Sequence, residues 1–280
     1  YAPLAATTGF NLFIKKDGDW MWAASRAHKL APTAKDIEAG LLNKPLTVIN
    51  GMAKGDKECL LYLPLYSELV GLEIGVNKGA TIEAIDPVRY ITNHSTGKMG
   101  YAIAEELAKR GAEVKLISGR TTLPTPRGVE RVDVLSAADM YEAAVEAWRE
   151  ADGAVMCAAV ADYTPAVVAD KKLKKSDDDL RIELVRTKDI AAELGKTKEG
   201  RTLVGFALET DNEEANAEGK LERKNFDFAV LNSLRDKGAG FGGDTNKVTL
   251  IDRNGREEHP LMSKSEVAAV IVDKIERLNK

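Results

Sequence analysis

Residues 86–119 read DPVRYITNHSTGKMGYAIAEELAKRGAEVKLISG. A polar loop rich in Ser, Thr and Gly, ending at Gly100, opens an amphipathic run from Ala102 to about Lys109 that reads as a helix. A short apolar run, Glu113 to Ser118, then closes at Gly119 and reads as a strand. The first amides of a helix lack intrahelical partners and, with the helix dipole, attract anions. The loop around Asn93 is therefore a candidate phosphate or carboxylate site. Ser, Thr and Gly also cap purely structural helices, so spacing alone leaves both readings open.

Outward from this stretch the alternation continues. A strand is expected near Val132 to Leu135, a helix from Ala137 to about Glu150, and a buried strand from Gly153 to Val160. Further strands follow at Leu203 to Ala207, Phe228 to Leu231 and Val248 to Ile251, with helices at Asn212 to Lys224 and Lys264 to Leu278. Strands separated by helices need crossover connections. The expected fold is α/β, a Rossmann-like, mainly parallel sheet with helices on both faces, preceded by a small mostly β domain. Ligands of such sheets sit beyond the carboxyl ends of the strands. Three loops belong there: the Asn93 loop, the stretch after Cys157 and the stretch after Phe206.

The second loop reads Cys157-Ala158-Ala159-Val160-Ala161-Asp162-Tyr163, with Lys171, Lys172, Lys174 and Lys175 close behind. Small residues let a ligand approach the main chain, and Asp162 supplies a carboxylate. The lysines suit a triphosphate, although such runs are often only solvated surface. The third loop follows Val204-Gly205-Phe206-Ala207-Leu208-Glu209-Thr210, where Phe206 reads either as core or as a base-stacking ring.

Residues 79–280 closely resemble the phosphopantothenate-cysteine ligase family of the bacterial type. The resemblance is carried, in order, by Gly79-x-Thr81-x-Glu83-x-Ile85-Asp86-Pro87-Val88-Arg89, by Asn93 to Gly100, by Ala158 to Tyr163, by the lysines around Lys172, and by Gly205-Phe206-Ala207-x-Glu209-Thr210. It implies ligation of 4'-phosphopantothenate to cysteine through an acyl-cytidylate, with CTP as co-substrate and Mg2+ escorting its phosphates. It also implies that Asn93 and Lys172 are catalytic. Lys172 would neutralise the triphosphate, and Asn93 would hydrogen-bond the acyl intermediate. Ala158, Asp162, Phe206, Lys172 and Lys175 would bind the nucleotide. Arg89, Asn93 and Lys98 would bind substrate, with Arg89 alternatively a structural ion pair. Lys174 to Arg181 would form a flap, and a homodimer would complete each site.

The first 78 residues read as a separate β-rich domain. Turn signals such as Asp17-Gly18 separate Asn11 to Ile14 from Trp20 to Trp22, with further β-like runs at Leu46 to Ile49, Cys59 to Leu63 and Leu69 to Val76, and a helical period only at Lys35 to Leu42. This part resembles the β-sandwich segment preceding the catalytic domain of some SGNH-type esterases. The esterase nucleophile block is missing, so no hydrolase residue is carried over, and Trp20, Trp22, Tyr62 and Tyr66 are expected to be core or sandwich-face aromatics. The decarboxylase that usually precedes this ligase has no counterpart, so no flavin is expected. Ala80 stands where the family commonly has proline. The run Leu72 to Lys78 occupies the place of the ligase's first strand, and a missing central strand would expose both neighbouring edges.

Composition narrows the function classes. The 280 residues are 44% hydrophobic and 30% charged, ordinary for a globular chain. A net charge of -4 argues against nucleic acid as a default partner. Two cysteines and three histidines, at no metal-ligand spacing, argue against a disulfide framework or a protein metal site. No run is long enough for a membrane helix, and a cytoplasmic enzyme with small-molecule substrates is expected. The start at Tyr1 leaves room for a removed leader. Two alternatives stand beside the ligase. One is a Rossmann-like NAD(P)-binding oxidoreductase, weakened by the missing G-x-G-x-x-G run. The other is an inactive fusion with a binding-only sandwich domain.

Overall fold

The computed structural model describes residues 72–175, 179–209, 211–233 and 242–279 with Leu69, and before them the strands at 10–16, 19–26, 47–48 and 59–62. The chain divides between Glu68 and Leu69 into two compact units. In the first, β1 (Phe10–Lys16), β2 (Asp19–Arg26), β3 (Thr47–Val48) and β4 (Cys59–Tyr62) form an antiparallel sheet in the order β2-β1-β4-β3. Lys16 pairs with Asp19, the spacing expected around an Asp-Gly turn. The helical period at 35–42 and the roles expected for the aromatic side chains lie outside the described residues.

The second unit begins ten residues ahead of the boundary expected at 78, and the difference settles the junction. β5 (Glu73–Lys78) is a central strand of an eight-stranded sheet, flanked by β8 (Glu113–Ser118) and β10 (Gly153–Met156), both parallel to it. The run Leu72 to Lys78 thus supplies the strand that the family pattern requires. Without it the sheet would lose the burial of Ile74 and Val76, worth about 3 to 6 kcal/mol together.

The sheet continues past β8 to β9 (Val129–Asp133), and past β10 to β13 (Thr202–Glu209) and β14 (Phe228–Ser233), all parallel. An antiparallel pair, β15 (Val248–Asp252) and β16 (Gly255–Glu258), closes the β14 edge. Alternate residues serve opposite layers. Val155 joins Val204 and Val230 in one core, with α1 (Lys98–Lys109) and α5 (Lys264–Leu278). Ala154 and Met156 join Leu203 and Ala229 in the other, with α2 (Ala137–Trp148) and α3 (Ile190–Lys196). Burial on both faces is why Gly153 to Met156 carries no polar side chain. α4 (Glu213–Arg223) covers the sheet beside β13 and β14, burying Ala217 and Leu221.

Several boundaries shift for local reasons. α5 starts where expected, because Ser263 and Glu266 form a capping box, and α2 likewise on Ser136 and Asp139. α1 starts four residues early at Lys98, since Gly97 in the left-handed region (φ 76°) turns the chain straight into the first turn. The strand expected over 153–160 ends at Met156: the Asn77 side chain accepts from the amides of Cys157 and Ala158 and draws the chain off the sheet. The strand expected near Val132 to Leu135 lies earlier in the chain, at β9. Two small antiparallel pairs without a sequence signal, β6 (Ile82–Ala84) with β7 (Tyr90–Thr92) and β11 (Tyr163–Pro165) with β12 (Leu184–Arg186), project from the loops after β5 and β10.

Candidate functional site

The chain order reverses across the sheet between β5 and β10, because β8 and β9 build to one side and β13 and β14 to the other. The loops leaving the carboxyl ends of β5 and β10 diverge there, which opens a crevice. A cavity of about 740 Å³ fills it. Its floor is Asn77, Met156 and Phe226, and one wall is the loop 95–100 at the start of α1. That helix has no side-chain cap, so its first-turn amides are available to a ligand.

Of the residues expected at the site, Asn93, Lys98, Ala158, Asp162 and Phe206 all line this cavity. Asn93 donates from Nδ2 to the Ala159 carbonyl at 2.9 Å, tying the first loop to the second. Thr81 completes that tie: its hydroxyl accepts from the Ala161 amide and its carbonyl accepts from the Thr92 hydroxyl. Lys98 binds the Gly242 carbonyl and the Asp244 carboxylate, and this contact holds Asp244 below the usual carboxylate range.

Arg89, Lys172 and Lys175 are not among the lining residues. Arg89 is ion-paired with Asp86, whose side chain is fully buried. Lys172 and Lys175 are exposed on the segment after β11. The structure also gathers Arg186, Lys188, Lys220, Lys224 and Lys264 at the rim, where the sequence had placed only Lys224, in the polar run Lys224 to Asp227. Lys220 pairs with Glu209 at 2.7 Å, Lys224 with Asp189 at 3.1 Å, and the Lys188 ammonium lies over the Tyr141 ring. Burial, then the neighbouring Lys98, lowers the Lys264 pKa. Lys220 and Lys224 lie four apart, on one side of the helix end, the one signal that could have found them. With Asp162 and Asp189 as the acids of the lining, cations predominate, as a polyanion requires. Asn232 adds a buried Oδ1 with no hydrogen-bond partner among the described residues, an acceptor for a ligand N–H. Cys157 is no nucleophile here, since burial pushes its thiol up to about 12.

Residues 69–278 match the family described as DNA/pantothenate metabolism flavoprotein C-terminal domain. The chain belongs to this family. Residues 2–82 match the N-terminus of an SGNH hydrolase-type esterase, so residues 69–82, with β5, fall inside both matches. The coenzyme A biosynthesis bifunctional protein CoaBC of Bacillus subtilis is 48% identical over 76% of this chain and 53% of its own length. A prokaryotic protein named cysteine/cysteine sulfinic acid decarboxylase is 46% identical over 90% of this chain and 72% of its own length. The crystal structure of the C-terminal domain of a CoaBC protein aligns at 42% identity and TM-score 0.66, covering 76% of this chain and 98% of that domain. The family and the Rossmann-like architecture read from the motifs both hold. The chain spans about half to two thirds of the CoaBC relatives, from 51% to 66% of their length. Among the described residues no helix is long and apolar enough to cross a membrane.

Proposed function

We propose that this chain joins 4'-phosphopantothenate to cysteine in coenzyme A biosynthesis, using CTP. The observation that carries the reading is the cation-rimmed cavity at the switch point, in a chain whose relatives are named for that pathway. A carboxylate resists attack by an amine because its leaving group would be an oxide. One carboxylate oxygen therefore attacks the α-phosphorus, the bond to pyrophosphate breaks, and an acyl-cytidylate forms. The cysteine amine then attacks the acyl carbon, the bond to CMP breaks, and the ammonium proton leaves to solvent.

The protein's part is positioning and charge stabilisation. Lys188, Lys220, Lys224 and Lys264 surround the polyphosphate, and the first-turn amides of α1, with Lys98, hold a substrate anion. Asn93 hydrogen-bonds the acyl intermediate without adding charge. Ala158 and Phe206 border the base, and Asp162 accepts from its amino group. Among the described residues no three His, Cys, Asp or Glu side chains converge to hold a metal. Mg2+ therefore fits this site only as a companion of the triphosphate oxygens, where it would neutralise charge.

Lys172 and Lys175 reach a site in this reading through a homodimer, each segment serving the partner's cavity. The surface supports it: Val88, Tyr90, Tyr163, Val167, Leu184 and Val185 expose apolar area on the two small β pairs and their loops.

The test is pyrophosphate release that requires 4'-phosphopantothenate, cysteine and CTP together. Asn93→Ala and Lys172→Ala proteins are expected to lose about a hundredfold or more in kcat while melting as the parent does. Full activity in both variants would refute the assignments, and a thermal shift with NADPH in place of CTP would favour the oxidoreductase.

A further inference from the structure

The segment Asp86-Pro87-Val88-Arg89 makes the turn between β6 and β7, and its hydrogen bonds reach far beyond that turn. Asp86 accepts from the amides of Val88 and Arg89 at 2.8 Å each, the local pattern of an Asp that opens a turn. The same carboxylate accepts from the Arg89 guanidinium and, at 3.1 Å, from the amide of Leu173, 87 residues away. Arg89 donates from its guanidinium to the carbonyl of Leu173 at 2.8 Å. Both backbone groups of Leu173 are thus held by one charged pair. A further bond, from the Ala169 amide to the Ile85 carbonyl at 3.0 Å, fixes the chain just upstream.

Leu173 sits between Lys172 and Lys174, and all four lysines of this segment are exposed. A turn that only needed to be stable would be complete with its own amides. Here a buried carboxylate, held far below the usual carboxylate range chiefly by Arg89, keeps a bond in reserve for a distant backbone.

We infer that Asp86 and Arg89 are positioning residues, an ionic clamp on Leu173 that fixes the backbone from which Lys172 and its neighbours meet a polyphosphate. The inference rests on the polyphosphate role proposed for that segment. Arg89 then acts through Asp86 and Leu173 and touches no substrate. Lysine has long, mobile side chains, so anchoring the main chain at its centre reduces the freedom to be lost when the ammonium groups close on a ligand.

Asp86→Asn removes the charge and faces the Leu173 amide with a second donor; Arg89→Met removes the other half. Each variant is expected to lower kcat about ten- to a hundredfold, with KM for CTP within about twofold, since the base pocket is untouched. Combined with Lys172→Ala, each should slow the enzyme by clearly less than it does alone, because most of a positioning effect vanishes with the principal group positioned. Trypsin should cut after Lys171 to Lys175 about tenfold faster in both clamp variants than in the parent. Additive losses, or cutting at the parent's rate, would overturn the clamp. Should Lys172→Ala keep full turnover, the polyphosphate role falls, and proteolysis alone decides whether the clamp holds the segment. If Asp86→Asn fails to fold, Arg89→Met, at a half-exposed side chain, carries the same measurements.

Discussion

Replacing Lys78 with methionine is expected to stabilise the protein by about 2 to 3 kcal/mol at pH 7. Lys78 ends β5, its side chain has no exposure, and its ammonium has no hydrogen-bond partner among the described residues. Gly97 and Gly100 lie directly over it, and the Tyr101 ring, 4.2 Å from Nζ, offers only a cation–π contact. Burial first, and the Arg131 guanidinium second, pull its pKa from 10.5 down to about 8. Above pH 10.5 the amine is neutral in folded and unfolded chains alike, so no penalty exists. As pH falls from 10.5 to 8 the unfolded chain takes up the proton first, and stability is lost. Below 8 both states are charged and the loss stays constant. Methionine has similar length and a thioether suited to the Tyr101 ring. Urea denaturation followed by fluorescence, with Trp20 and Trp22 replaced by Phe in both proteins so that Trp148 reports, should show the parent gaining stability between pH 8 and 10 relative to Lys78→Met. Parallel curves with no gain at pH 7 would mean that the amine finds water.

Gly205→Ala should act in the opposite direction and reach the cavity. Gly205 lies in β13, and a Cβ there would fall inside the Phe226 ring, against Cε2, Cζ and Cδ2. That ring is buried among Leu203, Ala229 and Leu194, and it also floors the cavity. Packed among those side chains, the ring must shift to admit a Cβ, so overpacking should cost about 2 to 3 kcal/mol. On a unit of this size the melting temperature should fall by about 5 °C or more. Displacing the ring also narrows the cavity, and the CTP-induced stabilisation that the proposed function predicts should shrink with it. Unchanged melting would show that Phe226 swings aside at no cost.

Much of the frame was legible. The strand at Glu113 to Ser118 and the helix at Lys264 to Leu278 fall where pattern and capping put them, because local periodicity and a capping box act over a few residues. The loops carrying Asn93 and Ala158 and the strand carrying Phe206 converge as a parallel sheet with crossovers demands. The lysine segment was harder. Its place after a buried strand pointed toward the crevice, but β11 and β12 carry the intervening chain away, and Asp86 holds it there. Lys188, Lys220, Lys224 and Lys264 look in sequence like solvated charges, since nothing local tells which face of a helix meets a cavity.

The alternation of strands and helices along the main sheet and the family were determined by the sequence itself, through residue spacing and side-chain type. Tertiary structure alone decided that β5 is an interior strand of the sheet, that Lys78 is shut in the core beneath Gly97 and Gly100, and that Arg89 closes on Leu173 rather than lining the cavity. The physical reason is range. Periodicity and capping are set by neighbours within a few residues, whereas burial and ion pairing depend on groups brought together from distant parts of the chain.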